Sequence, residues 1–208
     1  MTEIVNFQQP FTLFSKHLAE ACQNKNIVEP TAMCLSSSDS HNKISSRMVL
    51  LKKHNSNGFY FFTNLTSRKA QEILSRPQVS LCFYWGALAM QIRIVGNAEL
   101  ASSEESDEYF ASRPRQSQIG AWASKQSQSM ESGAEFELRI AKYQEEFANS
   151  TTIPRPNFWG GFLVRPEEIE FWHEGEFRLH NRLHYRILRE NNSNTKESLG
   201  WKVTKLYP

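Results

Sequence analysis

The feature that most limits how this chain can fold is a series of short apolar or alternating segments after Pro30. They lie at 31–37, 47–53, 58–63, 78–84 and 90–99, each bounded by polar turn residues. Segments of this length and pattern read as strands. The connections between most of them are too short for repeated helical crossovers, so antiparallel pairing is expected. His54-Asn55-Ser56-Asn57-Gly58 suits a hairpin. Further strands are expected at 160–165, 167–173, 182–189 and 200–206, and Asn191 to Ser198 reads as a flexible polar loop.

Helices punctuate this series. Residues 10–25 carry Pro10 at a first helical position and Phe14, Leu18, Ala21 and Cys22 at helical spacing. A second helix begins near Thr66 and ends before Pro77. A third is announced by the capping-box pattern Ser102-Ser103-Glu104-Glu105 and ends before Pro114. Another runs from about Ser132 to Phe147. Between these two, RPRQSQIGAWASKQSQS has the composition of a disordered linker, yet Ile119 and Trp122 within it point to docking. The expected architecture is mainly β with peripheral helices (α+β), an antiparallel barrel forming a single domain over 1–208.

Composition narrows the function classes. A net charge of +2 over 208 residues argues against a general nucleic-acid binder, whereas locally clustered cations suit a small anionic ligand. Cys22, Cys34 and Cys82 lack metal-ligand spacing and sit among apolar neighbours, so they read as buried reduced thiols of a cytoplasmic protein, and no metal is expected. MTEIVNFQQPF carries no visible secretory signal, and no apolar run is long enough for a membrane helix.

Four clusters carry candidate chemistry. Arg68 and Lys69 open a helix at Thr66-Ser67-Arg68-Lys69-Ala70, where the helix dipole disfavours cations unless an anion neutralises them. The alternative is a solvated basic turn. Arg178, His180 and Arg182 would project on one face of an extended chain, with Leu179 and Asn181 opposite. Such a triplet suits an anion or an electron-rich ring, against the plainer reading of an exposed strand surface. Tyr109 and Arg113 lie at helical spacing, with Ser117 just beyond, a candidate second phosphate site or a common surface pair. Arg47 and Lys52 flank Met48-Val49-Leu50-Leu51. They face opposite sides of a regular strand, so a shared ligand would require a bulge or curled ends.

Taken together, six segments resemble the pyridoxine/pyridoxamine 5′-phosphate oxidase family: RMVLLK at 47–52, FFTNLTSRKA at 61–70, YFASRPRQSQIGAWASKQS at 109–127, RPNFWGGF at 155–162, IEFW at 169–172 and RLHNR at 178–182. The resemblance implies an FMN-binding split β-barrel of Greek-key type and a homodimer with two flavins at the subunit interface. It implies that FMN is held by Arg47, Met48, Val49, Leu50, Leu51, Lys52, Phe62, Thr63, Arg68, Lys69, Gln91, Gln126, Ser127, Trp172 and Arg182. The substrate phosphate falls to Lys52, Tyr109, Arg113 and Ser117, while Arg178 and His180 lie against the pyridine ring as the catalytic pair. The implied reaction oxidises pyridoxamine or pyridoxine 5′-phosphate to pyridoxal 5′-phosphate, with oxygen as acceptor and hydrogen peroxide as by-product. Competing expectations are a phenazine-type oxidase on the same fold and a non-catalytic flavin or pyridoxal phosphate carrier.

Three departures from the family pattern matter. Asn181 stands where Asp is usual, which removes a charge that would order Arg178 or Arg182. Ala89-Met90 precede Gln91 where Glu-Arg is common, removing a second charged pair. Little precedes Pro10, so weaker closure over the substrate is expected.

Overall fold

The alternating segments form the sheet that their pattern predicts. The structure is a computed structural model that describes residues 2–189 and 198–208. In chain order the elements are β1 (Thr2–Val5), α1 (Gln9–Gln23), β2 (Ala32–Ser38), β3 (Ile44–Leu50), β4 (Lys53–Asn55), β5 (Gly58–Asn64), α2 (Arg68–Ser75), β6 (Gln78–Trp85), β7 (Met90–Leu100), α3 (Ser103–Ser112), α4 (Arg115–Ala123), α5 (Gly133–Glu146), β8 (Trp159–His173), β9 (Asn181–Arg189) and β10 (Ser198–Leu206). The strands join in the order β1-β10-β9-β8-β7-β6-β2-β3, and β5 pairs with both β4 and β8. Every pairing is antiparallel. The return of β6 to β2, past β3 to β5, is the long connection that a Greek key requires. No helix among the described residues is long and apolar enough to cross a membrane.

Two expected strands, 160–165 and 167–173, are one. β8 runs through Pro166 because the register shifts there: Val95 pairs with Glu168 and Gly96 with Pro166, leaving Glu167 as an extra residue. A bulge tolerates proline's missing N–H. Gly96 is obligatory at this point, since a Cβ would lie 2.0 Å from the Arg165 carbonyl oxygen. The first half of β8 lies between β5 and β7, the second between β7 and β9.

The expected strand 47–53 is broken instead. β3 ends at Leu50, Leu51 turns into the core at 4% exposure, and Lys52 N donates to the Tyr60 carbonyl at 2.9 Å. This break supplies the change of direction that a shared ligand for the strand and Lys52 requires. The other surprise is β1, which pairs with β10 from Thr2↔Thr204 to Val5↔Trp201. The short N-terminus is therefore an edge strand. The segment Asn191 to Ser198, expected as a flexible loop, lies outside the described residues apart from Ser198.

The main core joins α1 to the inner face of the sheet, with Phe14, Phe59, Phe83 and Trp201 fully or almost fully buried. A second cluster, Phe110, Ile119, Ala121, Phe147, Ile153 and Trp159, gathers α3, α4 and α5 beside it. The linker-like stretch thus contains α4. Its Ile119 is buried and Trp122 Nε1 donates to the Pro154 carbonyl at 2.8 Å. The cysteines correct the expectation of burial: Cys22 is exposed, and Cys34 and Cys82 are half-buried cross-strand neighbours, all three free.

Candidate active site

A cavity of about 670 Å³ opens between β3, β5, α2, α3 and α4. That volume lies in the range of small-molecule sites. Of the sequence-predicted residues it gathers Met48, Val49, Leu50, Lys52, Phe62, Thr63, Lys69, Tyr109, Arg113, Ser117 and Gln126. Asn64, Ser124, Gly120 and Trp159 also line it and were not singled out from sequence. Trp159, inside the RPNFWGGF segment, had the clearest signal.

At one part of the wall, Lys69 follows Ser67, the buried N-cap of α2, which makes no side-chain capping bond. Lys69 is 9% exposed, and its Nζ reaches Thr63 Oγ1 at 3.2 Å and Ser67 Oγ at 3.4 Å. Burial and then the neighbouring Arg47 push its ammonium below the ordinary lysine value, with Glu72 opposing them. A buried cation held by hydroxyls is a poor resting arrangement unless an anion arrives. Thr63 Oγ1 also donates to Gln126 Oε1 at 2.9 Å, which brings the loop after α4 onto the same spot.

A second cationic point is built on aromatic rings. Phe62 stacks on Tyr109 with centroids 4.2 Å apart, and on Trp159 at 5.7 Å. The Arg113 guanidinium sits 4.8 Å from the Trp159 ring centroid. Arg113 is the C-cap of α3, with extended backbone, so it meets Tyr109 by leaving the helix rather than by helical spacing. Its Nη1 is buried without a hydrogen-bond partner among the described residues, and burial lowers its guanidinium from the ordinary value. An orphaned buried donor on a cation marks a place for an anion. The two cationic points suit a ligand pair that carries two phosphates.

The Arg47 and Arg68 side chains point elsewhere. Glu72, 4% exposed, accepts from Arg47 Nη2 at 3.0 Å and from Arg68 Nε at 2.8 Å. Ser37 and Ser45 complete its shell at 2.6 and 2.6–2.8 Å. Burial alone would raise the Glu72 carboxyl, but these donors hold it down at about 2. The helix start is thus neutralised from inside the chain by Glu72, four residues beyond Arg68. Charge placement alone did not reveal that partner.

The remaining predicted residues form a separate patch. Gln91, Trp172 and Arg182 are consecutive cross-strand partners on β7, β8 and β9. None of them lines the cavity, nor do Leu51, Arg178 or His180. Ser127 lines a smaller cavity of about 320 Å³, beside Gln126. The expected extended triplet is corrected here: Arg178 and His180 lie in the tight turn before β9, with Phe177 and Arg178 at φ 55° and 64°. Alternation therefore does not apply to them. His180 packs its ring 4.7 Å from Trp172, and its Nδ1 accepts from Gly175 N at 3.3 Å.

An antiparallel sheet of this order with a cation-lined cavity beside it is a split β-barrel. A solved structure of PhzG from Burkholderia lata, in complex with tetrahydrophenazine-1-carboxylic acid, is similar at a TM-score of 0.83 and 31% identity, covering 96% of this chain and 92% of that one. A pyridoxamine 5′-phosphate oxidase-related, FMN-binding protein from Nostoc punctiforme shares the fold at a TM-score of 0.71 and 16% identity, covering 96% and 98%. Residues 18–147 match the pyridoxamine 5′-phosphate oxidase family model, and 159–208 match the pyridoxine 5′-phosphate oxidase C-terminal dimerisation region. A pyridoxine/pyridoxamine 5′-phosphate oxidase from Rubrobacter xylanophilus is 45% identical over 96% of this chain and 87% of its own length. The chain belongs to the pyridoxine/pyridoxamine 5′-phosphate oxidase family.

Proposed function

We propose that the protein is an FMN-dependent oxidase that converts pyridoxamine or pyridoxine 5′-phosphate to pyridoxal 5′-phosphate, with oxygen as acceptor and hydrogen peroxide as by-product. The observation that carries this reading is the pair of cationic points, Lys69 and Arg113, lining one cavity. FMN and a vitamin B6 phosphate each bring one phosphate, so the pair of ligands needs two such points.

In this reading the β3 segment Arg47 to Leu50, with Leu51 and Lys52, and Phe62, Thr63, Arg68, Lys69, Gln126 and Ser127 hold FMN from one subunit. Gln91, Trp172 and Arg182 hold it from the second subunit of a homodimer. Separation of that patch from the cavity, and the match of its β8–β9 part to a dimerisation region, support the division. Lys52, Tyr109, Arg113 and Ser117 hold the substrate phosphate. Arg178 and His180 orient the pyridine ring and assist proton movement. Bound FMN supplies the hydride acceptor and the route to oxygen. The protein's share is to fix two rings face to face by their phosphates, which makes the encounter an oriented one. We also read residues 1–208 as one domain, since β8 in the C-terminal match pairs with β5 and β7 in the N-terminal one. A cytoplasmic location is supported by three free cysteines.

The likeness to PhzG favours a second reading, oxidation of another ring compound on the same fold. Purified protein reconstituted with FMN decides between them. Pyridoxal 5′-phosphate and peroxide formed in equal amounts from pyridoxamine 5′-phosphate support the oxidase. Flavin binding without turnover of either B6 phosphate overturns it.

A further inference from the structure

Glu170 lies on β8 between β7 and β9, on the same face as Trp172. It is 4% exposed. Its Oε1 accepts from Arg182 Nε at 2.8 Å, and its Oε2 accepts from Arg93 Nη2. Burial pushes its carboxyl up, and the bonds from Arg182 and Arg93 outweigh that and keep it ionised. Arg182 is also tied at Nη1, which donates to the Tyr207 carbonyl at 3.0 Å. Anchors at Nε and at Nη1 together fix the plane of the guanidinium. Nη2 has no hydrogen-bond partner among the described residues.

Glu168, the next acid on the same face, is taken by Arg186 and His184. Asn181, adjacent to Arg182, is neutral.

We infer that Glu170 is a positioning residue for FMN binding, aiming the guanidinium of Arg182 from beneath. The inference rests on the reading of Arg182 as a flavin contact. A flexible arginine must be ordered when the ligand binds, and pre-ordering it is worth about tenfold in affinity.

The test is titration of apo-protein with FMN, followed by quenching of flavin fluorescence, for R182A, E170Q, E170D and the double variants with R182A. R182A and E170Q are each expected to weaken binding about tenfold. The double variant E170Q/R182A is expected to bind no more weakly than R182A alone, because the two act through one guanidinium. E170D, which keeps the charge but withdraws it by one methylene, should recover part of the loss. Additive losses would mean that Glu170 acts only on the sheet, and the inference fails. E170Q at parental affinity beside a weakened R182A also overturns it. Parental affinity in R182A removes the underlying reading, and the inference with it. If E170Q does not fold, the E170D/R182A cycle decides by the same non-additivity.

Discussion

Two regions of this molecule use the same device to different ends. Around Glu72 and around Glu170, a buried carboxylate fixes two arginines: Arg68 of the same helix and Arg47 of β3 for Glu72, Arg93 of β7 and Arg182 of β9 for Glu170. Glu72 has four partners, two arginines and two serines, and its carboxyl falls to about 2. Glu170 receives arginines alone. The Glu72 hub ties Arg47 of β3 and Ser37 of β2 to α2, whereas the Glu170 hub joins β7 and β9 across β8 beside Trp172. Lys69 and Arg113, which line the cavity, make no ion pair with a carboxylate among the described residues. The contrast is between a carboxylate that ties elements together and one that steadies a side chain for a ligand.

The largest expected effect tests the locked hub. Glu72→Gln should lower the unfolding free energy at neutral pH by about 3 kcal/mol, read by urea denaturation, because it leaves the largely buried Arg47 without its counter-charge and removes the charged acceptor of Ser37 and Ser45. A loss below about 1 kcal/mol would remove the distinction between the hubs. Acid unfolding sharpens the same point. The folded value of Glu72 lies below its ordinary 4.5, so its contribution is complete above about 4.5 and disappears as pH falls towards about 2. The stability of E72Q should be flatter than the parent's across that window.

Next in size is Arg113→Ala. Loss of a charged donor to the substrate phosphate should raise KM for pyridoxamine 5′-phosphate about thirtyfold, with kcat changed far less. An unchanged KM would return Arg113 to the structural class. The smallest effect is expected at Arg68. Its side chain is 63% exposed, so Arg68→Ala should cost about 0.5 kcal/mol in stability although it removes a bond to Glu72.

What the sequence disclosed follows from where each signal resides. The capping box at Ser102 and Glu105 forms as its spacing predicts, because a cap is a local interaction. The helix from Ser132 to Phe147 is likewise local, with Ser132 as N-cap and Phe147 as C-cap. Helix α4 was obscured because its serines and glutamines resemble a linker, and the burial of Ile119 depends on Phe110 and Phe147, distant in sequence. Pro166 read as a break because nothing local reveals the bulge opposite Gly96. Among site residues, the cavity set converges much as its motifs implied. The Glu72 hub escaped because Ser37 and Ser45 lie on other strands, although its spacing from Arg68 was visible. Arg178 and His180 were placed on a regular strand, and left-handed backbone at Phe177 and Arg178 has no signature in those side chains.

The double allegiance of β8 bears on how the chain is made. Its first half closes β5 against β7, yet it begins at Trp159, 101 positions after β5 begins at Gly58. Until β8 is available, over 159–164 for β5 and 162–173 for β7, those strands lack the partner that covers these edges. Unpaired edges invite association with other chains. A nascent chain of this protein therefore exposes these edges until one late strand arrives, and long-range pairing of this kind slows folding.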